Sequence, residues 1–165
     1  MQIERDTLVP GPPERAFALV DDLSAYPAWM DLVHDVQEVV AQDVSAAGEQ
    51  RVWEVELQAQ VGPFARSKRL RMVRTVHEPG RRVVFERAEI DGRRHSTWIL
   101  AATLDADSRP ESSRDGGAKL TMSLTYGGNL WTGAVLQRVL DDHVERGAAA
   151  LCALLTEAGD VDRPC

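Results

Sequence analysis

The sequence contains no run approaching the ~20 consecutive apolar residues that a membrane-crossing helix requires. Its first residues, Met1-Gln2-Ile3-Glu4-Arg5-Asp6, are charged and alternating, without the apolar stretch of a secretion signal. The two cysteines, Cys152 and Cys165, are too few for a disulfide framework. Together these absences point to a cytoplasmic protein. His143-Val144-Glu145 forms an H-x-E, but no C-x-x-C accompanies it, so the ligand set of a zinc deaminase is missing. A G-x-S-x-G motif, a phosphate loop and a dinucleotide fingerprint are missing too, so no metal and no cofactor is expected. Positive charge is also in deficit. With 19 Lys and Arg against 26 Asp and Glu, the formal net charge is −7. That argues against general nucleic-acid binding, which needs cationic surface to displace counterions.

What is present is a chain of 165 residues, 44% hydrophobic and 27% charged, which is enough for one globular domain with a real core. We read residues 1–158 as that domain and 159–165 as a flexible tail. Residues 2–9 read as a strand, broken by Pro10-Gly11-Pro12-Pro13. A short helix starts at Pro13 or Glu14, where a missing N–H costs nothing. Ser24 is placed to cap a second short helix through Tyr26, Trp29 and Met30. Further strands are read over 35–44, 51–61, 65–77, 82–90, 94–104 and 118–126, with Asp91-Gly92 as a hairpin turn. Residues 105–117 read as a long flexible loop.

Alternation is clean in three of these strands. Trp53, Val55, Leu57, Ala59 and Val61 share one face of their strand, with Glu54, Glu56, Gln58 and Gln60 opposite. Trp98, Leu100, Ala102 and Leu104 form a second apolar row, and Leu120, Met122, Leu124 and Tyr126 a third. Seven strands sharing one apolar face need a cover. Only the helix that Asn129 caps, running to about Ala158, is long enough. Its apolar stripe includes Leu136, Leu140, Leu151, Leu154 and Leu155, with His143 and Gly147 in the middle. At roughly 100° per residue His143 projects in line with Leu136 and Leu154. An imidazole aimed at a core, beside a glycine that leaves room, indicates a cavity behind the helix.

This element order resembles the helix-grip fold of the START-like (SRPBCC) superfamily. Val9-Pro10-Gly11-Pro12-Pro13-Glu14-Arg15-Ala16-Phe17 is similar to that family's first strand and helix entry. Asp22-Leu23-Ser24-Ala25-Tyr26-Pro27-Ala28-Trp29 resembles the D-x-x-x-Y-P-x-W segment of its bacterial polyketide-cyclase-like branch. Glu78-Pro79-Gly80-Arg81-Arg82-Val83 and the stretch from Asp91-Gly92 to Trp98 resemble later turns. The resemblance implies an α+β domain, a seven-stranded antiparallel sheet wrapped around a long C-terminal helix, with two short helices after the first strand. It also implies a hydrophobic cavity between sheet and helix. The superfamily hosts carriers, enzymes and regulators alike. One departure stands out. Where aromatase/cyclases of this type carry a Ser and an Arg, this chain has Val73 and Thr75, and Arg74 between them points to the opposite face of an ideal strand.

His143 is the first candidate for catalysis, as a general acid or base, with Tyr126 as its companion. The competing reading of His143 is a core histidine satisfied by a backbone carbonyl. Trp53, Met72, Arg74, Trp98, Tyr126 and Gly147 are candidates for the cavity wall, with plain core packing as the alternative. Tyr26 and Trp29 are placed either to gate a mouth or to staple helix to sheet. Arg66, Lys68, Arg69, Arg71 and Arg74, with Arg81 and Arg82, form a basic run in an acidic protein. It reads either as a docking patch for an acyl carrier protein or as a solvated sheet face neutralised by Glu54, Glu56 and Glu86. Two functions follow. One is a polyketide cyclase/dehydrase-like enzyme acting on a hydrophobic aromatic or polyketide molecule. The other is a non-catalytic binder or carrier of a lipid, quinone or isoprenoid-like ligand.

Overall fold

A computed structural model of the chain describes residues 2–40, 50–61, 64–106, 117–127 and 134–160. Its strands are β1 (Gln2–Pro10), β2 (Val33–Val39), β3 (Val52–Val61), β4 (Phe64–Glu78), β5 (Arg82–Arg87), β6 (Trp98–Ala106) and β7 (Gly117–Tyr126). Helix α1 spans Pro13–Val20, a 3-10 helix spans Leu23–Ala28, and α2 spans Ala134–Asp160. The seven strands form one sheet in the order β1-β7-β6-β5-β4-β3-β2, every neighbouring pair antiparallel. The chain leaves β1 at one edge, crosses by α1 and the 3-10 helix, and re-enters as β2 at the other edge. Helix α2 covers the apolar face, and the result is the α+β helix-grip architecture.

Register explains why that face is continuous. Trp98, Leu100, Ala102 and Leu104 of β6 sit directly opposite Tyr126, Leu124, Met122 and Leu120 of β7. On the other side, Trp53 and Val55 of β3 face Met72 and Leu70 of β4. Period-two alternation in each strand therefore stacks apolar residues into cross-strand rows. The core includes Phe17, Val20, Leu23, Trp53, Phe85 and Leu151, all at most 5% exposed.

Local chemistry sets the turns. Pro79 and Gly80 occupy the two middle positions of the turn Glu78–Arg81, closed by Arg81 N–H to Glu78 O at 3.0 Å. Gly80 has φ +73°, which a type II turn requires at its third residue. The 3-10 helix departs from expectation. Asp22, not Ser24, caps it, its carboxylate accepting the Ser24 N–H at 2.9 Å. The Ser24 hydroxyl is thereby free to accept Trp53 Nε1–H at 3.2 Å. Pro27 lies inside this segment and brings no N–H, which keeps it short.

Three expected strand bounds also move. β2 begins at Val33 and ends at Val39, and the rest of the expected strand at 41–44 lies outside the described residues. β5 stops at Arg87 and β6 starts at Trp98, so Asp91-Gly92 is not a two-residue hairpin. Side chains have replaced the ladder there. Asp91 accepts the Arg93 N–H at 3.0 Å and holds His95 Nε2 at 2.8 Å. Arg87 donates to Glu89 at 2.7 Å and to Ser96 O at 3.3 Å. Polar side chains that satisfy a local backbone compete with strand pairing. The Asn129 cap, most of the 105–117 loop and residues 161–165 of the expected tail lie outside the described residues, while α2 continues to Asp160.

Gly147 is where α2 comes closest to the 3-10 helix. A Cβ there would lie 2.8 Å from Met30 Cε, 3.1 Å from Met30 Sδ and 3.5 Å from Trp29 O. The thioether tip can swing away, but the backbone carbonyl cannot. We expect Gly147→Ala to keep or raise the melting temperature, because alanine gains up to about 1 kcal/mol of helix propensity. Gly147→Leu should lose about 1–3 kcal/mol through overpacking. Thermal unfolding of the pair followed by circular dichroism checks this; equal melting of Gly147→Leu and the parent would refute the close approach.

Candidate functional site

A cavity of about 100 Å³ lies between the inner face of the sheet and α2. β3 contributes Val55 and Leu57 to its wall, β4 Leu70 and Met72, β6 Trp98 and Leu100, and β7 Met122 and Leu124. From α2 come Val144, Ala148 and Leu151, and from the 3-10 helix and beyond come Tyr26, Trp29 and Met30. Thr7, Ser123 and Arg5 add polar atoms on the β1 side, and Arg5 is already engaged with Asp141 at 2.7 Å.

The Tyr26 end is closed. Tyr26 is 1% exposed, and its hydroxyl donates to Val20 O at 3.0 Å. Burial, with the Asp21 charge nearby, pushes its phenol far above the ordinary tyrosine range, so it stays protonated. Trp29 Nε1 donates to Leu19 O at 3.1 Å. Both aromatic tips are therefore spent on the end of α1. Both residues lie on the cavity wall with their polar tips bonded to α1, the contacts a staple between helix and sheet makes.

Three other candidates sit outside the cavity wall. Trp53 is fully buried, edge-on to Phe85 at 5.4 Å between centroids and tied to Ser24. Tyr126 is 6% exposed and packs edge-on against Trp98 at 5.1 Å. Arg74 lies in register with the inward-facing Phe85, but its guanidinium donates to Asp21 O at 3.3 Å, at the C-terminal cap of α1. A register shift follows between Arg74 and Val76, so the bulge falls after Arg74 and leaves its direction unchanged.

The largest correction concerns His143. The cavity side of α2 is the row Val144, Ala148, Leu151, about one residue round from His143 and Gly147. His143 Nδ1 instead bonds the Asp31 carboxylate, whose second oxygen takes Arg146 Nε at 2.9 Å. A wide apolar stripe does not say where its centre lies, and this ion-paired group turns the helix. The imidazole is thus part of a polar clamp between α2 and the segment before β2. Leu136 and Leu140 belong to residues whose side chains are not described.

The family model described as polyketide cyclase / dehydrase and lipid transport matches residues 1–156. The chain belongs to that family. Its membership supports a ligand-binding function. The protein TTHA0849 from Thermus thermophilus superposes with a TM-score of 0.66 at 17% identity, over 96% of this chain and 99% of that one. A START superfamily protein from Mycobacterium smegmatis gives 0.68 at 13% identity, over 95% and 98%. The di-domain ARO/CYC protein StfQ of the steffimycin biosynthetic pathway gives 0.65 at 14% identity. The match to StfQ covers 96% of this chain and 51% of StfQ. At these identities the likeness is one of fold. No curated protein matches the chain in sequence. Among the described residues no helix is long and apolar enough to cross a membrane.

The described members of the basic run divide between the two faces of the sheet, and the side chain of Arg66 lies outside the described residues. Arg69 pairs with Glu56 at 3.1 Å on the outer face, and Arg71 donates to Ala88 O at 2.9 Å. Arg81 lies 3.7 Å from Glu78. Lys68 lies on the other face, opposite Leu57, with its ammonium over the rings of Trp98 and Tyr126 at 5.5 and 5.7 Å. Reading the run as surface charge missed Lys68. The alternation Lys68, Leu70, Met72 was the available signal.

The Asp31 clamp has an acid limit. Partial burial raises its carboxyl, but hydrogen bonds from His143 and Arg146 lower it further, to below the ordinary range. A depressed folded value means the stabilisation is complete above the unfolded value, about 3.9, and is lost as pH falls through the folded one. Because half the Asp31 side chain is exposed, at 51%, the clamp contributes about 1 kcal/mol. Asp31→Asn should therefore lower the melting temperature by about 2–4 °C at neutral pH. The difference between variant and parent should hold at neutral pH and shrink as pH falls below the ordinary carboxylate range. Melting curves across pH check this, and a difference that persists at acid pH would refute it.

Proposed function

We propose that the protein binds a hydrophobic small molecule, aromatic or polyketide in character, in the cavity between the sheet and α2. The observation that carries this reading is the wall itself. Leucine, methionine and tryptophan side chains from four strands and α2 converge on one space. Moving an apolar ligand into it gains about 0.8 kcal/mol per buried CH₂. The polar tips at the closed end are already bonded to α1 backbone, so that end offers shape more than hydrogen bonds. The family description adds cyclisation or dehydration of a polyketide as the chemistry such a cavity would serve. Folding a flexible chain against a rigid wall supplies orientation, which is worth several kcal/mol. The geometry favours binding and orientation over acid–base work by His143, because the imidazole is committed to Asp31.

Titration with N-phenyl-1-naphthylamine, whose fluorescence rises in apolar surroundings, tests the reading. The parent protein should bind it saturably. Leu100→Trp, which adds an indole to the middle of the wall, should weaken binding at least about tenfold and still unfold cooperatively. Absence of saturable binding, or equal binding by Leu100→Trp, would overturn the assignment.

A further inference from the structure

The end of the cavity opposite Tyr26 is built differently. β5 ends at Arg87, opposite Met72, whereas β4 continues in the other direction through Lys68 to Phe64. β6 does not begin until Trp98. Between β4 and β6 the sheet therefore lacks a strand at this end. Lys68 reaches across the gap to lie over Trp98 and Tyr126, whose rings are 5.1 Å apart. The carboxylate that acts on it, Glu89, is already taken, binding Arg87 at 2.7 Å. Trp98 faces the cavity, and its Nε1 is buried with no hydrogen-bond partner among the described residues. A buried donor left unmatched is costly, and an acceptor on a ligand would satisfy it.

These features place a cation and an N–H donor together at the rim of an otherwise apolar wall. Burial and the Arg87 charge hold the Lys68 ammonium below the ordinary lysine range, with Glu89 opposing. A cation resting on aromatic rings, with its nearby carboxylate engaged, gains most from an anionic oxygen. We propose that Lys68 and Trp98 form a head-group site that selects ligands carrying a carboxylate at one end of an aromatic or polyketide body. The inference rests on the ligand-binding reading above and adds the charge of the ligand to it. In a chain of net charge −7, local capture of an anion requires such a dedicated site.

The test uses two probes of nearly equal shape, 2-naphthoate and 2-naphthamide, titrated calorimetrically into the full chain. The parent protein should prefer the carboxylate by about tenfold. Lys68→Met keeps the stem over the rings and should abolish the preference, while Lys68→Arg should retain it. Trp98→Phe keeps a ring but loses the donor and should weaken naphthoate severalfold. Added salt should weaken naphthoate but not naphthamide on the unmodified protein, which reads the charge without any substitution. Equal binding of both probes, or a preference that survives Lys68→Met, overturns the head-group site and leaves the ligand-binding reading standing. No binding of either probe overturns both.

Discussion

The structure depends on how α2 is held above the sheet. Both sheet edges reach for it. From β1, Arg5 binds Asp141 at 2.7 Å, and further along, Cys152 lies against Leu8 O at 3.6 Å. From the segment before β2, Asp31 binds His143 and Arg146, and Met30 packs against Gly147. The helix is fixed at its flanks by polar contacts, so its cavity-facing row can stay small. Val144 and Ala148 fill less space than the leucines and tryptophan below them. Were the helix held only by burial, collapse onto the sheet would remove the empty volume, because protein interiors pack to near-crystal density. Suspension from two edges is what allows a cavity to persist.

The sheet below supplies an asymmetric floor. On β4 the inward positions run Lys68, Leu70, Met72, Arg74, with a cation at each end and apolar residues between. Arg74 is consumed at the closed end, where Asp21 O terminates α1 and a cation complements the helix dipole. Lys68 rests instead on the faces of two rings. The same strand thus ends once in a structural contact and once in a site with unspent electrostatic capacity. The early stop of β5 creates the difference, since a strand beside Lys68 would have closed the gap its side chain crosses.

Much of this was legible in the residues. The rows in β3, β6 and β7 followed from alternation, and their mutual register follows once adjacent strands run antiparallel. Pro79-Gly80 announced its turn, and Pro13 opened α1 where expected. What escaped detection depended on contacts distant in sequence. The imidazole of His143 faces Asp31, 112 residues earlier, and nothing near His143 in the sequence marks that partner. Ser24 resembled a cap until Trp53, 29 residues on, took its hydroxyl. The Asp91-Gly92 pair carries a strong local signal, yet Arg87, Glu89 and His95 satisfy that segment by side chains. Lys68 was hidden by composition, since one inward lysine among outward arginines looks like part of a charged surface.

Which end of the cavity carries specificity follows from where polar groups remain uncommitted. Tyr26 and Trp29 are aromatic, buried and on the wall, but their hydrogen-bonding atoms are bound to α1. Changing them would alter the shape of the cavity and the anchoring of α1 together, so the closed end is constrained by folding. Trp98 carries a donor unmatched among the described residues, and the Lys68 ammonium faces a carboxylate, Glu89, already engaged by Arg87. Neither spends its polar atom on another element of the fold among the described residues, although the Trp98 ring packs on Tyr126 at the start of β6. A polar atom without structural duty is the one a ligand can engage. On the head-group reading proposed above, a helix-grip frame keeps its closed end and its two edge contacts while the Lys68 end sets what it binds.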